Sequence, residues 1–118
     1  MSKSARSIFV FGIYLGVFGL SMLIIPNTVL GMVSIPSTNE VWIRIVGMLL
    51  FLLGYYYIQA ARKETTDFFQ WTVPVRSSII LFLTTFVILG LVKPIIILLG
   101  VIDLAGAIWT GMTLRTSK

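Results

Sequence analysis

Four runs of roughly twenty residues, each almost free of charge, dominate this chain: 8–25, 41–61, 76–92 and 94–114. At a rise of 1.5 Å per residue such runs cover about 25–32 Å, the depth of a bilayer's hydrocarbon core. A chain of 118 residues that is 58% hydrophobic and only 11% charged has too little interior to hide that surface as a water-soluble domain. In lipid, backbone N–H and C=O groups must be satisfied within their own segment, so each run becomes a helix. The expected fold is all-α, an integral membrane four-helix transmembrane bundle forming one domain over residues 1–118.

Lys3 and Arg6 precede the first run, as basic residues precede the core of a secretory leader. The run exceeds the roughly 7–15 residues of such a core, and no small-x-small cleavage pattern follows, so it reads as the first span. Lys3, Arg6, Arg62, Lys63, Arg76, Arg115 and Lys118 fall near span ends on one side; Lys93 lies on the other, with Arg44 just inside the second span. Basic residues hold loops on the cytoplasmic side, so both termini are expected there. The net charge of +5 follows from this bias, and nucleic acid is not an expected partner, since no basic cluster is longer than Arg62-Lys63.

Pro26 to Glu40 contains no Lys or Arg but carries Val29, Leu30, Met32, Val33 and Ile35, which suggests a short helix on the outer membrane surface. On the inner side, Thr65 to Val75 brings Phe68, Phe69 and Trp71 near Tyr55, Tyr56 and Tyr57, an expected interfacial aromatic belt. Pro94 directly after Lys93 suits a first helical turn, so the last two spans should be tightly joined antiparallel neighbours.

The available chemistry is narrow. The chain has no Cys and no His, which removes disulfides, thiolate nucleophiles and the commonest metal ligand. The acids are Glu40, Glu64, Asp67 and Asp103, so neither a metal nor another cofactor is expected. Asp103 stands near the middle of the fourth span, where a carboxylate costs about 2.5–3.5 kcal/mol and needs a partner, a proton or a function. Counting residues puts it about 13 Å below the outer face and Arg44 about 5 Å below it. Arg44 is therefore the expected partner, with Glu40 competing for it; Arg76 enters from the opposite face and is the poorer candidate.

Small residues recur at helical spacing. Gly12, Gly16 and Gly19 share a face of the first span. Arg44, Gly47, Phe51, Gly54 and Ile58 align on the second, and Gly100, Asp103, Gly106, Ala107 and Thr110 on the fourth. Small faces let helix backbones approach closely in lipid, so the three stripes are expected to meet at the bundle centre.

Trp42, Arg44, Gly47, Gly54 and Tyr55, together with Gly100, Asp103, Gly106, Trp109 and Thr110, resemble the pattern of small DoxX-like four-helix bacterial membrane proteins. The resemblance implies a compact bundle in the bacterial cytoplasmic (inner) membrane and, for some members, quinone-linked or redox partners. It carries over no catalytic residue. Small multidrug transporters differ, because they carry an essential acid in the first span and this chain has none between Ile8 and Ile25.

Two functions are expected from these features. The leading one is an accessory or interaction subunit without catalytic machinery, surrounded by membrane lipid and associating with other membrane subunits or copies of itself. The alternative is a binder or carrier of a small lipophilic molecule, a quinone or lipid, anchored by Arg44 and Asp103 with Tyr55, Trp109 and Thr110 nearby. An enzyme would need a second acid–base group beside Asp103, for which Arg44, Tyr14 and the tyrosine run are the candidates.

Overall fold

The computed structural model describes residues 1–116; Lys118, counted above among the inner basic residues, lies outside them. Helix α1 covers Lys3–Ile24, α2 Pro26–Met32, α3 Trp42–Arg62, α4 Thr66–Ile88 and α5 Ile97–Thr116, the last entered through a 3₁₀ turn at Pro94–Ile96. No strand occurs among the described residues. Helices α1, α3 and α4, and α5 with its leading turn, are each long and apolar enough to cross a membrane. The protein is a multi-pass helical membrane protein.

Glycines decide how the helices pair. A Cβ built on Gly19 would sit 2.5 Å from the backbone N of Phe51 and 2.6 Å from the carbonyl of Gly47. A Cβ on Gly47 would lie 2.8 Å from the Gly19 carbonyl, and one on Gly54 2.8 Å from the Gly12 carbonyl. Backbone therefore meets backbone along α1 and α3, a contact that only residues without side chains permit. Gly16 differs from its neighbours on the stripe, because a Cβ there would meet nothing within 4 Å.

The stripe on α5 does not join that seam. Gly100 faces Ile80 of α4, whose Cα would be 2.9 Å from an added Cβ, and Gly106 faces Arg76 of α4 and Phe11 of α1. Two glycine stripes that interlock face to face leave no space for a third helix between them. Helix α1 instead packs on α3 with one flank and on α5 with another, while α4 packs on α5. The result is a flattened bundle, 46 × 29 × 17 Å across its Cα atoms.

The third span needs the largest correction. Helix α4 starts at Thr66, not Arg76, and ends at Ile88, not Val92, carrying Pro74 in its interior. Proline removes one backbone donor and crowds the preceding turn. Nearby hydroxyls bond to backbone carbonyls around it: Thr72 to Phe69 at 2.8 Å, Ser77 to Val73 at 2.7 Å and Ser78 to Val75 at 2.6 Å. Such bonds help a membrane helix to run through a proline. Arg76 consequently sits near mid-helix, about 15 Å from the helix start, and leaves the set of basic residues at span ends.

The aromatic belt is divided for the same reason. Trp71, Tyr55 and Tyr56 are exposed, but Phe69 and Tyr57 are buried in a core with Ala5, Ile8, Phe11, Leu15 and Ala61. Tyr57 and Phe68 meet edge to face at 5.1 Å, which pins the C-terminal end of α3 to the N-terminal end of α4.

Three helices close with the same cap. After α2, α3 and α4 the amides of Ile35, Thr65 and Leu91 return to the carbonyls of Leu30, Ala60 and Phe86. Each closure turns on a left-handed residue: Ser34 (φ 58°), Glu64 (φ 54°) and Gly90 (φ 76°). Glycine occupies that position at no steric cost, whereas Ser34 and Glu64 carry some strain. Glu64 has a compensating role, since its carboxylate accepts the backbone N–H of Ser2 at 2.9 Å. Ser2 in turn caps α1, its hydroxyl accepting the Ala5 amide at 3.0 Å.

Two outcomes follow from this packing. Gly19→Leu should destabilise the bundle by about 1–3 kcal/mol or more through overpacking, while Gly16→Ala should be neutral or slightly stabilising. Reversible unfolding in bicelles reads the difference, and equal costs would refute the seam. The second concerns Glu64, whose pKa is held below its ordinary 4.5 chiefly by hydrogen bonds from Ser2. A depressed carboxylate stabilises the fold above that ordinary value and loses its contribution as pH falls through the folded pKa. The stability gap between the wild-type protein and Glu64→Gln should therefore be open at neutral pH and close on acidification below about 4.5; melting curves across pH test this, and a constant gap would contradict it.

Candidate functional site

Arg76 is the largest fully buried side chain among the described residues, with 1% of its surface exposed. Its guanidinium is fastened along one edge. Nε donates to the Thr72 carbonyl at 3.4 Å; Nη2 donates to Thr72 Oγ1 at 3.0 Å and Thr110 Oγ1 at 2.7 Å. The plane lies over the Phe11 ring, 4.7 Å from its centroid, adding a cation–π contact.

Thr110, fully buried on α5, extends this support to α1. Its Oγ1 is 2.7 Å from Ser7 Oγ, and Ser7 itself donates to the Ser4 carbonyl at 2.7 Å. Ser7 has one proton, already committed to Ser4, so Thr110 must be the donor. A directed chain results, from Arg76 to Thr110 to Ser7 to the α1 backbone. It joins three helices.

The other edge is open. Nη1 of Arg76 is buried and has no hydrogen-bond partner. It lies beside Gly106, where an added Cβ would be 3.1 Å from Nη1 and 3.2 Å from Phe11. The missing side chain at Gly106 makes the slot that admits the guanidinium to α5.

Arg76 forms part of the wall of a cavity of about 280 Å³ bounded by all four long helices. Phe11, Tyr14, Leu15 and Phe18 of α1, Leu50, Leu53 and Tyr57 of α3, Val75, Ile79 and Leu83 of α4, and Leu99 of α5 supply the rest, with Asp103. Phe11 packs against Tyr14 at 5.4 Å and Tyr57 at 5.6 Å, and Tyr14 against Phe18 at 5.9 Å, which makes the α1 side an aromatic wall. Asp103 is buried, yet it makes no hydrogen bond and no ion pair within 4.0 Å to a described residue.

Helices α3 and α4 touch at Tyr57 and Phe68, near the end of α3 and the start of α4, but do not pack closely beyond that point. Leu53 and Val75, 40% and 60% exposed, flank the gap. The cavity thus opens sideways, between two membrane-spanning helices, to where acyl chains would lie.

The anchors expected from sequence fall in different places. Asp103 and Thr110 belong to the site, the first on the cavity wall and the second behind Arg76. Arg44 does not pair with Asp103; it is exposed, and its Nη1 donates to the Leu23 carbonyl at 2.5 Å. Leu23 is in the last turn of α1, where carbonyls lack helical partners and a cation meets the negative end of the helix dipole. Arg44 therefore turns up to the neighbouring helix end instead of down into the bundle. Tyr55 and Trp109 are 58% and 41% exposed and do not line the cavity. Arg76, Thr72 and Ser7 were missed. Had the third span been extended back through Pro74, Arg76 would have fallen at mid-helix with Thr72 one turn before it.

No group of three or more acidic, His or Cys residues converges among the described residues. No family model, curated protein or solved structure matches the chain.

The network sets an expected order of mutational costs. Interhelical hydrogen bonds in bilayers are worth about 0.6 kcal/mol on average, with an upper end near 1.7, because the unfolded chain in lipid also finds partners. Thr110→Val removes one such bond and one to a charged group, so a loss of about 1–2 kcal/mol is expected. Ser7→Ala removes that neutral interhelical bond and the one to the Ser4 carbonyl within α1, but none to a charged group, and should cost about 0.5–1 kcal/mol. Steric-trap unfolding in bicelles measures both, and equal losses would remove Thr110 from its central role.

Proposed function

We propose that this protein binds a small lipophilic molecule, a lipid or quinone-like compound, in the cavity between its four long helices and exchanges it sideways with the bilayer. One observation carries the reading: an apolar cavity of about 280 Å³ among the four long helices opens between α3 and α4 and has the buried Arg76 and Asp103 among its lining residues. Apolar pockets with one or two convergent polar groups are the usual form of small-molecule sites. The anchors in this reading are Arg76 and Asp103, in place of Arg44 and Asp103. The accessory-subunit reading has no comparable single observation behind it.

The membrane setting is part of the proposal. Lys3, Arg6, Arg62, Lys63 and Arg115 cluster at the same ends of the four helices, which supports cytoplasmic termini even without Arg76 in the set. Helix α2 then lies at the outer surface; Leu30 is buried with Met22 and Ile43, while Met32 is 71% exposed. The DoxX-like resemblance favours a bacterial inner membrane.

The test is native mass spectrometry of protein purified in mild detergent. A retained lipophile is expected on the wild-type chain and should be absent from Ile79→Trp, which fills the cavity. A wild-type protein that runs at its bare mass, from detergent and from lipid nanodiscs alike, would overturn the reading.

A further inference from the structure

One end of the bundle gathers cations from three segments far apart in sequence. Ala5 of α1, Ala61 of α3 and Phe69 of α4 are buried together in one core, with Leu114 of α5 packed against it. Arg6, Arg62 and Arg115 directly follow Ala5, Ala61 and Leu114, so the three arginines surround that core, with Lys3 and Lys63 close by in the chain. All five cations are exposed. The Ser2 amide, 2.9 Å from the Glu64 carboxylate, ties the start of α1 to the end of α3 and brings the flanking Lys3 and Lys63 to the same edge.

No described residue accepts a hydrogen bond or an ion pair from any of these five side chains. The acids at this end are Glu64 and Asp67, and the Glu64 carboxylate is occupied by Ser2. An excess of unpaired positive charge therefore faces outward where the helices leave the apolar layer. The far end is different. There Arg44 is spent on the Leu23 carbonyl, Lys93 is the other cation, and Glu40 offsets them in part.

We propose that this basic end binds anionic phospholipid, holding the phosphate-bearing headgroups of the adjoining leaflet in preference to zwitterionic ones. Position favours a lipid surface over an acidic protein. Only residues 63–65 connect α3 to α4, so no loop there rises above the headgroups to receive a protein. Arg6 lies one turn inside α1 and Arg115 in the last turn of α5, at the depth from which a long side chain snorkels to a phosphate. Trp71, 67% exposed and about 8 Å from the start of α4, adds an amphipathic ring at a similar level. A lysine or arginine near an anionic bilayer gains roughly fivefold in binding. The preference is independent of the cavity between the helices and of which way the chain is oriented in the membrane.

Tryptophan quenching by brominated lipid, with the full chain in nanodiscs, reads each end of the bundle separately. Trp42→Phe with Trp109→Phe leaves Trp71 as the reporter at the basic end. Trp71→Phe with Trp109→Phe leaves Trp42, 50% exposed, at the opposite end of α3 from Arg62. Dibrominated phosphatidylglycerol and dibrominated phosphatidylcholine are each offered in a background of unbrominated phosphatidylcholine, at low salt. At Trp71 phosphatidylglycerol should be favoured at least about fivefold, the worth of one such cation, and at Trp42 several-fold less. Raising the salt to about 0.5 M should remove most of the preference, because exposed charges are screened. Combining Lys3→Gln, Arg6→Gln, Arg62→Gln and Lys63→Gln should remove it at low salt; if that variant fails to fold, the salt series on the native cations decides alone. Equal affinity for the two lipids at Trp71, the outcome expected if an acidic protein covers this end, overturns the proposal. So does an equal preference at both tryptophans, or one that survives high salt or the four substitutions.

Discussion

A charged guanidinium midway along an apolar helix of membrane-crossing length is the constraint around which the rest is arranged. An arginine at the centre of a span costs about 2.5–3.5 kcal/mol on insertion scales, and it cannot relieve that cost by losing its proton. Here the charge is carried through helix–helix contacts. Thr72 on its own helix, Thr110 on α5 and the Phe11 ring on α1 each contribute to holding it. Those three helices are thereby fixed in rotation about their axes, because each contact needs one particular face turned inward. Gly106 completes the fit by giving up the volume a side chain would fill.

Helix α3 is held by different physics. Its attachment to α1 rests on reciprocal glycines, which gain dispersion contact and weak Cα–H···O interactions by bringing backbones together. Because α1 spends that face on α3 and another on α5, α3 and α4 are left to meet only near Tyr57 and Phe68. The splay above that contact is the cavity. The site is thus a geometric consequence of putting the tightest helix pair at one edge of a flattened bundle.

How much of this was legible in the sequence varied with the type of signal. Length and polarity give the four membrane-crossing helices, since no other secondary structure satisfies the backbone in lipid. The small-residue stripes at Gly12, Gly19, Gly47 and Gly54 gave close packing but not the partner of each face. Gly100 and Gly106 follow the same spacing and serve different neighbours. The largest difference lies at the third span: a start at Arg76 leaves Thr66 to Val75, Pro74 among them, outside the helix, displaces the start of α4 by about three turns and makes a mid-helix arginine a boundary residue. Arg44 misled for the opposite reason: sequence gave its depth, but not the free carbonyl of Leu23 one helix away. Ser34 and Glu64 hid helix ends that glycine would have announced, as it does at Gly90.

Whether Arg76 and Asp103 serve stability or binding can be argued from what each contributes. Buried ion pairs give little net stability even in good geometry, and apolar replacements are often neutral or better. These two groups lie beyond ion-pair distance, so their attraction is weaker still against the same desolvation cost. Asp103 makes no hydrogen bond or ion pair that would add cohesion, whereas Arg76 ties α4 to α5 through Thr110. A purely structural pair would close the gap and use every donor. The Thr72 and Thr110 hydroxyls instead hold one edge of the guanidinium rigid and leave Nη1, packed by Gly106, without an acceptor.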